Sequence, residues 1–327
     1  MTVSDRGNTL PGTIAQMSEE IKYQIDDLPA FSRYLRSLDV PVDSEKAGSN
    51  CLFVGAGDSF AAAKAAEYLS GFRARALDPY DLLLRPKIAE GKHLFVISVS
   101  GRTRTNIEAA KAAHGIAKRV TAITSNAHSA LAEASDDIIE LRFRKTGAVT
   151  PGTVSFTTTL LACCSRVREV PMITNLEQVF DSSVRWSDAI ELPSAGTVFI
   201  VGTGLGYCMA IYGAAKIFEV LGSKSQYQAT EEFSHMELFS LSEGDFVLLI
   251  PASGVDKKAA ELEGNLSRGG WKVAKISLNE GDEVIHSILA SMRLQVLALR
   301  TAQRLGLEEC SFKKKEKQLR ISDQMIY

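Results

Sequence analysis

The sequence predicts an α/β fold made of two similar doubly wound parallel-sheet subdomains in tandem. The first observation is that apolar strand-like segments alternate with helical segments, a pattern typical of parallel sheets. The second is a repeat: VFIVGTGLGYCMAIYGAAKIFEVLG at 198–222 repeats LFVGAGDSFAAAKAAEYLSG at 52–71, and LLIPASG at 248–254 repeats FVISVSG at 95–101. Because strand and loop recur twice in the same order, the sequence indicates duplication of one α/β unit.

The elements of the first copy follow in order. Residues 10–38 carry apolar residues at helical spacing and predict a helix. CLFVG at 51–55 predicts a buried strand, followed by a helix with Asp58 or Ser59 as its N-cap and Gly71 just past its end. Further strands are predicted within FRARAL (72–77), HLFVIS (93–98), RVTAIT (119–124) and DIIELR (137–142).

The predicted domain organisation has five parts. They are an N-terminal helical segment (1–40), a first subdomain (41–170), a linker of helix and loop (171–196), a second subdomain (197–310) and a tail (311–327). The tail contains KKKEK at 313–317, which we expect to be solvated.

Composition excludes several classes of protein. The formal net charge is −2, so no broad basic field attracts nucleic acid or an anionic membrane. No apolar run reaches the ~18 residues of a membrane span, and the N-terminus lacks a signal pattern. The five cysteines lack CxxC spacing, which disfavours a disulfide framework or a structural zinc site. We therefore expect a soluble, reduced, cytoplasmic protein.

The segment VISVSGRTRTN (96–106) carries the main candidate site, with Ser98, Ser100 and Thr103 around Gly101. A strand that ends in small hydroxyls and then starts a helix directs N–H and hydroxyl groups to one point, which suits a phosphate. Gly101 allows close approach of the backbone. The alternative is an ordinary Ser/Thr-rich helix cap.

The glycine loops GAGDS and GTGLG are expected at the same sheet edge, because parallel sheets bind ligands at the carboxyl ends of their strands. Gly55 and Gly57 belong to the first of these loops. Neither loop continues as GxGxxG, and no GxxxxGK[ST] motif occurs, so neither a dinucleotide nor a P-loop nucleotide is predicted. We predict no cofactor and no metal.

S-V-S-G-R-T at 98–103 matches the S-x-S-G-x-T signature of the SIS (sugar isomerase) domain, and the duplication resembles that of the double-SIS proteins, which have flavodoxin-like subdomains. That family includes the isomerase half of glucosamine-6-phosphate synthase, archaeal phosphoglucose/phosphomannose isomerases, and glucosamine-6-phosphate deaminases and deglycases. VTPGTVSFTTTLLA (149–162) resembles its phosphate-side loop. The resemblance implies smaller phosphate contributions from Ser59 and Thr153. No glutaminase domain precedes these segments, so we do not expect glutamine-driven synthesis.

AAKIFEVLG (214–222) and TEEFSHMELF (230–239) resemble the catalytic stretch of the family. The resemblance implies that Glu219 moves a proton between C1 and C2 of the sugar through an enediol or enediolamine. It also implies that His235 assists ring opening from the partner subunit of a dimer, and that Lys216 holds substrate or stabilises an oxyanion. From the residues alone, Lys216 and Glu219 are more typical of a solvated helical ion pair, and His235 is more typical of a surface histidine beside acidic residues.

The sequence departs from the family pattern at three places. Val154 stands where the loop lysine is usual, and HME (235–237) replaces H-G-P. Family enzymes often end in N-L-(A/S)-K-S-V, whose lysine enters the active site, and here Asp323 takes its position. We therefore expect either that Lys317 or Arg320 substitutes for that lysine or that the step it serves is altered.

The predicted function is that of a phosphosugar isomerase acting on a hexose or hexosamine 6-phosphate. Two alternatives stay open: a deaminase or deglycase that releases an amine, and a non-catalytic regulator that binds a sugar phosphate. The predicted partners are a small-molecule sugar phosphate and a second copy of the chain in a homodimer with a shared active site.

Overall fold

The computed structural model describes residues 11–38, 50–252, 255–277 and 281–327. The first half of the chain forms a parallel sheet in the order β2-β1-β3-β4-β5. Its strands are β1 (Cys51–Val54), β2 (Arg75–Leu77), β3 (His93–Ile97), β4 (Arg119–Thr124) and β5 (Asp137–Glu140). Its helices are α1 (Thr13–Ser37), α2 (Asp58–Leu69), α3 (Pro79–Leu84), α4 (Arg104–Ala113), α5 (Ala130–Glu133) and α6 (Val154–Cys164), with a 3-10 turn at Pro86–Ala89.

The second half forms another parallel sheet, in the order β7-β6-β8-β9. Its strands are β6 (Thr197–Gly202), β7 (Lys224–Ala229), β8 (Phe246–Ile250) and β9 (Lys272–Lys275). Its helices are α7 (Leu176–Asp188), α8 (Leu205–Lys216), α9 (Thr230–His235), α10 (Lys257–Arg268), α11 (Glu283–Arg304), α12 (Ser311–Lys314) and α13 (Glu316–Ile326). A π-helical turn at Ile217–Leu221 follows α8, and a 3-10 turn at Glu237–Ser240 follows α9.

The two sheets confirm the predicted tandem α/β fold. Each places its first strand second in the sheet, between the next two strands of the chain. The glycine loops also match: Gly57 has φ 57° and ψ −127°, and Gly204 has φ 59° and ψ −123°. These backbone angles favour glycine, which explains the repeated GxG. Part of the second PASG loop (253–254) lies outside the described residues.

One detail of the prediction is wrong. Gly57 is the N-cap of α2, and no side chain caps this helix. Asp58 and Ser59 are instead its first two residues. Neither side chain caps the helix, and both lie at the edge of the sheet.

The two halves share the largest apolar cluster of the described residues. Helices α2 and α8 pack against each other, α6 packs on α2, and α11 packs on α8. The largest apolar cluster joins residues of both sheets, among them Phe53, Phe95, Ile200 and Leu248. The rings of Phe156 on α6 and Tyr212 on α8 stack with their centroids 3.7 Å apart. This packing places the end of α8 beside the first sheet. Within the described ranges, no helix has the length and apolar character to cross a membrane.

Candidate active site

A cavity of about 390 Å³ opens at the carboxyl ends of β1, β3 and β4. Its walls come from the loops that follow these strands, from α1 and from the segment between β5 and α6. The polar lining residues include Glu20, Asp58, Ser59, Ser98, Ser100, Thr103, Asn106, Ser125, Lys145, Thr146, Thr150, Ser155 and Thr159. The cavity therefore lies at the edge where the sequence predicts a ligand.

Three of the predicted phosphate residues meet on one wall. Ser98 Oγ lies 3.0 Å from Thr103 Oγ1 and accepts a hydrogen bond from the Gly101 N–H at 3.2 Å. Ser100 Oγ accepts from the Arg102 N–H at 3.3 Å. Thr103 is the N-cap of α4, yet its side chain makes no capping hydrogen bond. Helix capping therefore does not account for the Thr103 hydroxyl.

Gly101 cannot be replaced without moving this turn. Its φ is +65°, and a Cβ there would lie 2.0 Å from Ser129 Oγ. Ser129 itself is buried and caps α5. The turn that gathers the three hydroxyls thus depends on a glycine at this position.

Helix α1 holds the opposite wall through Glu20, which is 7% exposed. Glu20 Oε1 accepts from the Thr146 N–H at 3.1 Å and from Thr146 Oγ1 at 2.7 Å. Its other oxygen accepts from the hydroxyls of Thr150 and Thr153. Thr153 is fully buried and is not among the lining residues. The structure thus places Thr153 behind the wall.

Lys216 joins the cavity to Glu219. The Lys216 side chain is fully buried, and its Nζ donates to Asp58 Oδ2 at 2.9 Å and to Glu219 Oε2 at 2.5 Å. Asp58 lines the cavity, whereas Lys216 and Glu219 do not. Glu219 lies in the π-helical turn, which ends at Gly222 with φ 71°. Lys216 is therefore a buried cation that contacts Asp58 of the first half as well as Glu219, whose side chain is 39% exposed, rather than one member of a fully solvated helical pair.

Burial and charge set the protonation of this group. Burial raises the pKa of Asp58 to about 6, against the opposing effect of Lys216, and Glu219 raises it further. Burial by itself would lower the pKa of Lys216, but the carboxylates of Asp58 and Glu219 outweigh it and raise that pKa. Lys216 is therefore a cation, and Asp58 loses its proton at a higher pH than an ordinary aspartate.

His235 lies apart from the cavity in the single chain. Its side chain is 69% exposed, and Nε2 lies 3.3 Å from Glu231 Oε1. It ends α9, and the next residues, Met236 and Phe239, are exposed as well. The structure therefore does not bring His235 together with Lys216 and Glu219 within one subunit.

The C-terminal helix reaches the mouth of the cavity. Tyr327 lines it, and the Arg104 guanidinium donates to the carbonyl oxygens of Gln324 and Met325 at 3.3 Å each. The guanidinium of Arg102 lies 5.4 Å from the centre of the Tyr327 ring. The residues considered as substitutes for the family's tail lysine, Lys317 and Arg320, do not line the cavity, and neither does Asp323.

Sequence reasoning missed the three charged lining residues, Glu20, Asp58 and Lys145. Asp58 was predicted only as a helix cap, although GAGDS places an acid in a ligand-binding loop. Lys145 lines the cavity from the segment after β5, and its Nζ donates to Ser125 Oγ at 2.8 Å. Glu20 looks like an ordinary acid in an amphipathic helix. Asp58 had a signal in the sequence, but Lys145 and Glu20 had none.

Comparison with known proteins finds relatives that match part of the sequence. No protein-family model matches the chain. Over 212 residues it is 26% identical to the isomerizing glutamine–fructose-6-phosphate aminotransferase of Caldanaerobacter subterraneus, covering 58% of this chain and 35% of that protein. Over 253 residues it is 25% identical to the Clostridium acetobutylicum protein of the same name, covering 68% and 41%. The chain thus spans about a third to two fifths of these relatives.

Solved structures resemble the chain over nearly its whole length. Glucosamine-6-phosphate deaminase of Thermotoga maritima has a TM-score of 0.71 at 21% identity, covering 90% of this chain and 96% of that one. Tagatose-6-phosphate ketose/aldose isomerase of Escherichia coli has a TM-score of 0.72 at 18% identity, covering 92% and 96%. At these identities the likeness concerns the fold.

The duplicated sheets, the S-x-S-G-x-T turn and these relatives define the class: the chain has the tandem SIS fold. This is the fold that the sequence motif predicted.

Proposed function

We propose that the protein is a phosphosugar enzyme that interconverts the aldose and ketose forms of a hexose or hexosamine 6-phosphate. One juxtaposition carries the proposal: the Ser98–Ser100–Thr103 wall shares a cavity with Asp58, which Lys216 joins to Glu219. A phosphate needs convergent donors, and proton transfer between adjacent carbons needs a base and an acid beside them. The relatives are named for isomerizing, deaminating and ketose/aldose chemistry.

In this proposal the phosphate accepts hydrogen bonds from the hydroxyls of Ser98, Ser100 and Thr103, and Ser59 makes a smaller contribution. Lys145 adds a positive charge on the same cavity, where neither Lys317 nor Arg320 reaches. Thr153 would contribute directly only if its hydroxyl left Glu20. The backbone turns at Gly55, Gly57 and Gly101 keep the strand ends open to the ligand.

Glu219 is proposed as the base that carries a proton between C1 and C2. Lys216, held between two carboxylates, would stabilise negative charge that develops on the sugar oxygen. His235 would assist ring opening from the partner subunit of a homodimer. Its exposure, beside the exposed apolar side chains of Met236 and Phe239, supports a place on an interface. A cytoplasmic location stays an expectation from composition.

A second candidate is the release of an amine from a 2-amino sugar phosphate. The observation that favours it is the acid in the cavity, because the Asp58 carboxylate would attract a cationic amine. Both reactions pass through removal of the proton next to the carbonyl group, so both use Glu219. A regulator that only binds the sugar phosphate would use the cavity without this step.

Hydrogen exchange with solvent separates these functions. The purified protein is incubated in D₂O with fructose 6-phosphate or glucosamine 6-phosphate, with and without ammonium, and proton NMR follows C1 and C2. We expect deuterium at these carbons, and a loss of ~10²–10⁴-fold in rate in Glu219→Gln, because the base is removed while its shape is kept. The matched control, Glu243→Gln, changes an exposed glutamate.

Each outcome selects one function. Exchange with interconversion and no ammonium release indicates an isomerase, whereas ammonium release indicates a deaminase. Binding without exchange in the wild-type protein would contradict the enzyme proposal and favour a regulator.

A further inference from the structure

Asp58 is a carboxylate in the cavity that the proposed step at carbon leaves unused. It lines the cavity together with Ser59 and Ser98, and a quarter of its side chain is exposed. Its Oδ2 accepts from Lys216 Nζ at 2.9 Å. Its Oδ1 is buried and accepts no hydrogen bond from the described part of the chain. Lys216 thus holds the carboxyl group in place, while part of the side chain stays exposed at the cavity wall.

The charges around Asp58 favour exchange of a proton at this group. The titratable groups that face it come from α1, from the loop after β5, and from α8 with its π-helical turn. They are Glu20, Lys145, Tyr212, Lys216 and Glu219. Two carboxylates share the Lys216 cation, so the group carries one net negative charge when both are ionised. Protonation of Asp58 relieves this repulsion and the cost of its burial, which is the basis of its raised pKa.

We propose that Asp58 is a second acid–base residue of the site, which moves protons on the substrate oxygens while Glu219 acts at carbon. This inference rests on the proposed function. It differs from the roles that the SIS resemblance implies, in which Glu219, His235 and Lys216 carry the chemistry. This role explains why a carboxylate lies beside the proposed phosphate site, where its negative charge would not help to bind phosphate.

The proton movements balance in both directions. Starting from the open-chain aldose, Glu219 takes the proton from C2, and the electron pair of that bond forms the C1–C2 double bond. The carbonyl electron pair moves to O1, which takes the proton of the Asp58 carboxyl. The O2 proton then passes to Asp58 as the C2 carbonyl forms, and C1 takes the proton back from Glu219. Both carboxyl groups return to their starting states.

Gly152 allows Asp58 to occupy this position. A Cβ at residue 152 would lie 2.4 Å from Asp58 Oδ2. The Gly152 carbonyl accepts from the Tyr212 hydroxyl at 2.6 Å, so the backbone there is held from α8. The wall facing Asp58 is therefore fixed from the same helix that carries Lys216, and an added methyl group would displace the carboxylate.

The test compares Asp58→Asn with the wild type and with Asp181→Asn, which changes an exposed carboxylate on α7. Turnover of fructose 6-phosphate is measured from pH 5 to 9, and binding of the same sugar phosphate by calorimetry. We expect Asp58→Asn to lose ~10²–10⁴-fold in turnover while its dissociation constant changes less than about threefold, because asparagine keeps the shape and cannot exchange the proton. The limb of the pH profile set by Asp58 disappears in this variant only.

Turnover within about threefold of wild type, with the same pH profile, would overturn the role of Asp58 and leave the proposed function standing. Absence of solvent exchange in the wild type would overturn both. If Asp58→Asn does not fold, Gly152→Ala displaces the carboxylate but keeps its charge. We expect that variant to lose turnover and retain the pH limb, and unchanged turnover would contradict the inference.

Discussion

The residues that line the cavity place hydroxyl groups at one part of its wall and charged groups at another. Ser98, Ser100 and Thr103 supply neutral donors at the end of β3, where the start of α4 adds the positive end of its dipole. Asp58 follows the neighbouring strand, β1, and accepts a hydrogen bond from Lys216. A ligand with a phosphate at one end and exchangeable protons at the other would match both parts.

Ser100→Ala tests the phosphate wall. We expect sugar-phosphate binding to weaken by ~1–3 kcal/mol, because a hydrogen bond to a charged group is lost. Calorimetry with fructose 6-phosphate measures the change, and Ser240→Ala, at an exposed serine, is the control. Unchanged affinity in a Ser98/Ser100 double alanine variant would contradict the phosphate wall.

The buried charge of Asp58 also predicts a pH dependence of stability. Its pKa of about 6 in the folded protein exceeds the ~4 of an unfolded chain, so between these values the folded state holds a proton that the unfolded state has lost. This group therefore makes the free energy of unfolding fall as pH rises from about 4 to about 6. Across that window we expect the stability of wild type relative to Asp58→Asn to fall by about 1–3 kcal/mol.

Urea unfolding of wild type and Asp58→Asn at several pH values measures this difference. The difference between the two proteins isolates Asp58 from the other carboxylates, and Asp181→Asn serves as the control. A constant difference across the window would show that Asp58 does not titrate there.

Among the elements, the π-helical turn after α8 sets the geometry of the charged group. Lys216 ends the α-helix, and Glu219 lies in the wider turn that follows. Wide turns of this kind occur often at functional sites. The left-handed conformation of Gly222 then ends the turn and starts the path to β7. The turn thereby keeps Glu219 within reach of Lys216 at the domain contact.

Helix α1 fixes the loop that closes the other side of the cavity, and Glu20→Ala tests this. The substitution leaves the Thr146 N–H and the threonine hydroxyls without their acceptor, so we expect a loss of ~1–3 kcal/mol in the free energy of unfolding. Amide hydrogen exchange at Thr146 should accelerate. Glu19→Ala is the matched control, because Glu19 is the exposed neighbour. Equal effects of the two variants would contradict a role for Glu20 in holding the loop.

In the whole molecule, the contact of α2 with α8 unites the two copies of the fold. The first copy supplies the hydroxyl wall and Asp58, and the second supplies Lys216 and Glu219. Neither subdomain contains the complete set. The contact between the two similar units therefore brings the residues of the candidate site together.

The outer surface of the second copy predicts the oligomeric state. An apolar patch formed by Phe218, Tyr227, Met236 and Phe239 is exposed around α9, and the elements that carry it are in contact. We expect this patch to bind a second copy and bring His235 to the partner's site. Phe239 is 85% exposed. Its replacement by serine should weaken the dimer and lower activity.

Analytical ultracentrifugation and activity of Phe239→Ser measure both effects, with Tyr80→Ser on α3 as the exposed control. Mixing Glu219→Gln with His235→Ala subunits should restore part of the activity through hybrid sites. A fully active wild-type monomer would contradict the shared site.

Local sequence alone predicted the strands of the first copy, the repeat that carries β6 and β8, and the three-hydroxyl turn. These features depend on spacing over a few residues: alternating elements predict the parallel sheets, and Gly57 and Gly204 carry φ values that favour glycine. The α2 start was predicted wrongly because Asp58 and Ser59 resemble a cap when only neighbours are considered. The pattern therefore gave the fold and one wall of the cavity.

Tertiary packing decided which charges meet. Asp58 and Lys216 are 158 positions apart, and Glu20 lies 126 positions before Thr146. No local pattern encodes such pairs, because they arise only when α2 packs on α8 and α1 reaches the loop before α6. Packing also buried Lys216 and left His235 exposed, although both occur in ordinary-looking helical segments. The chemistry of this site is therefore a property of the contact between its two halves.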